Sequence, residues 1–276
     1  MVFIDTDGTS AWWVDSNTHA KNEDLCFIAA MKPFDPDRTK LLQELKHHYR
    51  IHKKAIRVRL ADFQSVSPSD YFYELVYCLL TPQSSAAHAE QVVSLLSSAG
   101  FHNKNVDPEP FLRRKECYIR FHRTKSRHLL RMKNQFSLIA QKLSGPGLSF
   151  ELREWLVKNV IGLGYKEASH FLRNIGKNDG LAILDRHILR NLNRLGMVNL
   201  IPKSISKKKY LELERSFSKC ATTLDIAFDE LDLLFWSMET GEIRKWEPHE
   251  SAWELWLTFN AKVTILYEDK IYFNPK

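Results

Sequence analysis

Hydrophobic and polar positions change period twice along this chain. At the start, Val2, Phe3 and Ile4, a turn at Asp5, Thr6, Asp7 and Gly8, and then Ala11, Trp12, Trp13 and Val14 predict a β-hairpin. Toward the other end, Val263, Ile265 and Tyr267, a turn near Glu268, Asp269 and Lys270, and Ile271 and Phe273 return to a period of two and predict a second hairpin. Between them the spacing is helical. Ser67 as N-cap, Pro68 at the first helical position and Asp70 in the first turn precede Phe72, Leu75, Val76, Leu79 and Leu80, which predicts a helix opening at Ser67. Thr81 and Pro82 restart a helix through Ala86 to Ser97, ended by Gly100, and residues 125–143 read as one helix ended by Gly145, Pro146 and Gly147. The pattern predicts a mainly α chain: a helical body over residues 40–245, an N-terminal β-containing extension at 1–39, and a C-terminal extension with a β-hairpin at 246–276.

Composition narrows the chemistry only modestly. With 276 residues, 44% of them hydrophobic, the chain buries a substantial core. A formal charge of +7 suits a polyanionic partner. The basic runs at 46–59 and 113–133 are candidates for tracking phosphates, with Arg123, Lys125 and Arg127 foremost, although charged helix faces usually serve solvation alone. Cys26, Cys78, Cys117 and Cys220 are widely scattered and form no CxxC pair, so free thiols are expected and neither a zinc site nor an iron–sulfur cluster has support. No apolar run has the length of a membrane span, and the expected setting is soluble and intracellular.

Residues 149–196 carry the chemistry. Ser149 is placed to cap a helix through Asn159, a tight connection follows at Val160, Ile161, Gly162, Leu163 and Gly164, and a second helix runs from Tyr165 to Asn174. This is a helix-hairpin-helix over about 151–175. Its two glycines are expected to allow positive φ and to leave amides uncovered for a phosphate at a helix N-terminus. Lys166 falls in the first turn of the second helix, where the helix dipole and desolvation disfavour an ammonium, so it is a candidate neutral nucleophile. Nineteen residues later Asp185 opens another helix, in the run Leu184, Asp185, Arg186, His187, Ile188, Leu189. An N-cap is its simplest role, and capping is compatible with catalysis because a cap fixes the carboxylate in place. His187 is open between a proton shuttle and a core or phosphate-contact residue.

The run from Gly162 through Lys166 to Asn174, followed by Leu184 to Leu189, closely resembles the helix-hairpin-helix, Gly/Pro-Asp superfamily of DNA glycosylases. Within it, the run resembles the archaeal-type, or type-2, 8-oxoguanine DNA glycosylase/AP lyases. The resemblance extends over about 71–245, taking in Leu79, Leu80, Thr81, Pro82 and Gln83, the stretch from Arg120 and Phe121 to Lys125, and Leu231 to Trp236 with Glu239, Thr240 and Gly241. It implies two helical subdomains with a DNA cleft between them, double-stranded DNA carrying a damaged base as partner, a monomer, and no metal or organic cofactor. It also implies that Lys166 attacks the sugar and forms a Schiff base, that Asp185 stabilises positive charge and assists proton transfer, that Trp236 stacks on the extruded base, and that Gln83 fills the gap left behind. In the compact enzymes a terminal lysine at the place of Lys245 lends its carboxylate to the base pocket; here the chain continues through Trp246 and Glu247. A glycosylase for another modified base, or a non-catalytic helix-hairpin-helix clamp, stands as the alternative.

Overall fold

The computed structural model describes residues 2–4, 11–13, 36–241 and 243. Strands Val2–Ile4 (β1) and Ala11–Trp13 (β2) pair antiparallel, with Val2 opposite Trp13. The hairpin expected at 263–273 and the whole extension at 246–276 lie outside the described residues.

The rest is helical. Pro36–Gln64 (α1) precedes Tyr71–Leu80 (α2), Ala86–Ser98 (α3), the single turn Glu109–Leu112 (α4), His122–Asn134 (α5), Phe136–Ser144 (α6), Ser149–Asn159 (α7), Tyr165–Asn174 (α8), Arg186–Arg194 (α9), Lys207–Leu224 (α10) and Phe228–Thr240 (α11). Their apolar faces close two separate cores. Phe72 and Leu75 from α2, Val92 and Leu96 from α3, Leu129 from α5, Ile139 from α6 and Phe171 and Leu172 from α8 form the first. Leu45 and Ile56 from α1, Ile188 and Leu192 from α9, Phe217 from α10 and Leu234 and Phe235 from α11 form the second. Each fully buried Leu, Ile or Phe contributes roughly 1.5–3 kcal/mol relative to exposure, so each lobe has its own source of stability.

Two contacts lock the lobes together. Arg153 on α7, only 2% exposed, sends a two-pronged guanidinium to Glu214 on α10 at 2.6 and 2.9 Å, and a third bond to Ser169 on α8 at 3.2 Å. Glu214 also accepts the Ala182 amide at 2.8 Å, so its carboxylate holds both helices and the strand-like run before α9. Beyond the end of α8, Gly176 adopts φ +67° against the end of α1, where a Cβ would lie 2.7 Å from the Gln64 Cα. Only glycine allows this approach.

The structure corrects three boundary expectations. Residues 67–70 form a turn and not a first helical turn: the Asp70 amide bonds to the Ser67 carbonyl at 2.9 Å, and the Ser67 hydroxyl is engaged by Ser69. The helix therefore opens at Tyr71. Pro82 starts no helix either; Thr81–Ser85 is a turn with Gln83 at φ +55°, and α3 begins at Ala86. The expected helix at 125–143 is two helices broken at Gln135, whose side chain caps the Asn159 carbonyl at 3.2 Å. The break turns Phe136 edge-on to Phe72, a packing a straight helix does not reach.

Candidate active site

The hairpin between α7 and α8 is built as its glycine spacing requires at one position and differently at the other. Gly162 sits at φ +92°, and a Cβ there would lie 2.3 Å from Nδ1 of His128, so both conformation and space exclude a side chain. Gly164 has φ −88° and ψ −177°, an extended conformation that any residue adopts, which corrects the expectation of positive φ at both glycines. It is the N-cap of α8, where an added Cβ would meet only the end of the Glu167 side chain at 2.8 Å. The first-turn amides of α8 are left for an outside acceptor by helix geometry.

Lys166 follows two residues after that cap. Its side chain is 29% exposed and its Nζ lies 3.3 Å from Glu167 Oε1. Glu167, itself outside the cavity lining, is thus the ion-pair partner of the Lys166 ammonium. Asp185 is the N-cap of α9, with extended backbone and Oδ1 accepting the Ile188 amide at 2.9 Å. Capping leaves its other oxygen available.

These two residues meet at a cavity of about 220 Å³ between the lobes. Lys166, His170 and Arg173 line it from α8, Asp185 from the start of α9, and Asp232 and Trp236 from α11. Trp236 is half-buried on this wall and takes no part in either core. Burial, with Arg173 and Lys166 nearby, pushes His170 well below the usual histidine range, which makes it a neutral wall. Asp232 accepts Arg173 Nη1 at 2.8 Å. Burial raises the Asp232 carboxyl to about 7, against the pull of Arg173 and with the help of the Asp185 charge. On the first-lobe side, burial likewise lifts Glu74 to about 7, with Asn174 bonded to it at 3.1 Å.

The remaining sequence candidates fall in different places. Arg123 and Arg127 are exposed on α5, and Arg127 directly precedes the His128 that backs Gly162, so a basic helix flanks the hairpin. Lys125 is not a phosphate contact. It is 6% exposed and its ammonium donates to the carbonyls of Leu80 at 2.6 Å and Pro82 at 2.7 Å and to the Ser84 hydroxyl at 3.1 Å, which leaves it no free donor face. The 46–59 run is also partly engaged inside the protein. Arg57 pairs with Glu230 at 2.6 Å, and buried Arg59 lies 4.1 Å over the Phe63 ring. Gln83 is exposed beside the cavity-lining Thr81 and Ser84, without lining the cavity itself. His187 also lies outside the lining and faces Glu239 at 3.5 Å, a carboxylate shared with Arg190, so nothing in its position serves a proton shuttle to the cavity. Lys245 lies outside the described residues.

His170, Arg173 and Asp232 were missed as site residues. The signal was present: Lys166, His170 and Arg173 stand at i, i+4 and i+7 on a helix whose opposite face supplies Ala168, Phe171 and Leu172 to a core. Asp232 and Trp236 stand at i and i+4 on α11.

Comparison with known proteins agrees with this geometry. Residues 56–226 match the family described as 8-oxoguanine DNA glycosylase. The 8-oxoguanine DNA glycosylase/AP lyase of Fusobacterium nucleatum is 34% identical over 219 residues, 75% of this chain and 99% of that protein. The protein of the same name from Methanocaldococcus jannaschii is 34% identical over 216 residues, 75% of this chain and 98% of that one. Among solved structures, the Thermotoga maritima 8-oxoguanine DNA glycosylase superposes with a TM-score of 0.67 at 32% identity, covering 75% of this chain and all of its own. The M. jannaschii enzyme in complex with a 15mer DNA containing 8-oxoguanine superposes with a TM-score of 0.67 at 31% identity, over 75% of this chain and 100% of that one. With a family match over more than half its length and relatives above 30% identity, this chain belongs to the helix-hairpin-helix 8-oxoguanine DNA glycosylase family.

Proposed function

We propose that this protein excises 8-oxoguanine from duplex DNA and then cleaves the strand, with Lys166 as nucleophile and Asp185 as its carboxylate partner. The observation that carries the reading is their convergence: residues from two different helix starts, Asp185 held by its own cap bond, face one cavity walled by Trp236. Lys166 Nζ forms a bond to the sugar C1′ as the bond from C1′ to the base breaks, and the base leaves with that electron pair and gains a proton. The sugar ring opens to a protonated imine, and loss of a C2′ proton expels the 3′ phosphate by β-elimination. Asp185 as an anion stabilises the positive sugar and then assists proton transfer. The freed purine stacks on Trp236.

The hairpin amides after Gly162 and Gly164, with Arg123 and Arg127 beside them, hold the DNA phosphates and read no sequence. Gln83 fills the stack where the base departs. The protein acts as a monomer, without metal or organic cofactor, because the lysine amine supplies the covalent chemistry. The test is product analysis on duplexes carrying 8-oxoguanine, other oxidised purines or no lesion. Release of 8-oxoguanine with strand nicking is the expected result; release of a different base with 8-oxoguanine untouched contradicts the substrate assignment.

A further inference from the structure

Two exposed non-glycine residues are held in the left-handed region close to the cavity. Gln83 has φ +55° and Phe121 has φ +60°. Such conformations are disfavoured for residues that carry a Cβ and persist only where the surroundings impose them. Between the two turns lies the buried Lys125 side chain. The Lys125 ammonium bridges the carbonyls on either side of the 81–82 peptides, those of Leu80 and Pro82, and reaches the Ser84 hydroxyl at 3.1 Å. The same Ser84 oxygen accepts the Arg120 amide at 3.1 Å, and the Lys125 amide itself closes back on the Phe121 carbonyl at 3.0 Å. The turn that carries Gln83 and the turn that carries Phe121 are therefore tied at a single point.

Resting on the glycosylase reading above, we propose that Lys125 is a positioning residue for base extrusion: it fixes the Gln83 and Phe121 turns as one rigid edge that enters the duplex as the lesion leaves. Extruding a base costs its stacking and pairing, which a preset edge offsets and a loose one does not. Burial, with Lys166 close by, lowers the Lys125 amine to about 8, so the clamp is mostly charged at neutral pH. A charged donor to two carbonyls is the stronger kind of bond.

The proposal separates two reactions of one protein. Excision from an intact duplex needs extrusion; strand cleavage at a ready-made abasic site has no base to extrude. Lys125→Met should slow excision of 8-oxoguanine by about ten- to a hundredfold, the scale of 1–3 kcal/mol, while abasic-site cleavage falls less than about threefold. The fluorescence rise of a 2-aminopurine placed beside the lesion should be lost in step with excision. Gln83→Ala should add little once Lys125 is gone, because the two act as a unit. Equal loss of both reactions, or additive effects of Lys125→Met and Gln83→Ala, overturns the assignment. Should Lys125→Met fail to fold, Ser84→Ala must show the same selective loss in milder form, and a Ser84→Ala protein with excision unchanged overturns it equally. A wild-type protein that cleaves neither substrate instead refutes the underlying activity.

Discussion

Asp185 Oδ1 accepts the Ile188 amide at 2.9 Å while the residue lines the same cavity as Lys166. One carboxylate thus caps a helix and faces the cavity. Asp185→Asn keeps an acceptor for the Ile188 amide, so thermal stability should change by no more than about 0.5 kcal/mol. Turnover should fall by roughly two decades or more, the scale of a lost electrostatic or proton-transfer group. Single-turnover excision beside a thermal melt checks this. Normal excision in the folded variant would make the carboxylate purely a cap.

The hairpin glycines are predicted to differ. Gly162→Ala puts a Cβ 2.3 Å from His128 at φ +92° and should destabilise the fold by about 1–3 kcal/mol. Gly164→Ala, at an ordinary φ, should leave the melt nearly unchanged and weaken damaged and undamaged duplexes alike, because the amides it covers read only phosphate. Melting curves with duplex titrations at fixed salt separate the two. Equal stability losses would contradict the conformational difference.

The buried fork of Arg153 on Glu214 is predicted to be costly to break from one side. Arg153→Met leaves the Glu214 carboxylate with only the Ala182 amide, and stability should fall by about 3–5 kcal/mol. Denaturant titration measures it. A loss under about 1 kcal/mol would mean that the fork does not hold the lobes.

Asp232 gives a pH dependence with a definite sign. Its carboxyl is raised to about 7 by burial, so the folded protein binds its proton more tightly than the unfolded chain does. Stability from this group is therefore greatest at low pH and declines as pH rises from the ordinary carboxylate range near 4 toward 7. Asp232→Asn cannot ionise and still accepts from Arg173. Its melting temperature should gain on that of the wild type by on the order of 5 °C across this window. Glu74 titrates alike in both proteins and cancels in the comparison. A constant difference from pH 4 to 7 would place the Asp232 titration elsewhere.

Much of the scaffold was legible because it depends on local pattern. The 3.6-residue period, Gly162 and the Asp185 cap define α7, α8 and α9 with little reference to the rest of the chain. What escaped depended on partners distant in sequence. The break at Gln135 exists because Phe136 packs on Phe72 and Gln135 caps Asn159. Lys125 looked like a phosphate contact because its acceptors lie 41–45 residues away, on the turn after α2. Arg57 read as surface charge until Glu230, 173 residues away, came into contact with it. The polar stripe of Lys166, His170 and Arg173 was visible, but only the second lobe makes it the wall of a cavity.

The Lys166 amine is expected to become covalently joined to the sugar. Borohydride reduction during reaction with an 8-oxoguanine duplex traps such an imine as a stable protein–DNA adduct. The wild type should yield a single adduct, and Lys166→Gln should yield none while binding the duplex within a few-fold of the wild type. An adduct of normal yield in Lys166→Gln would contradict the account.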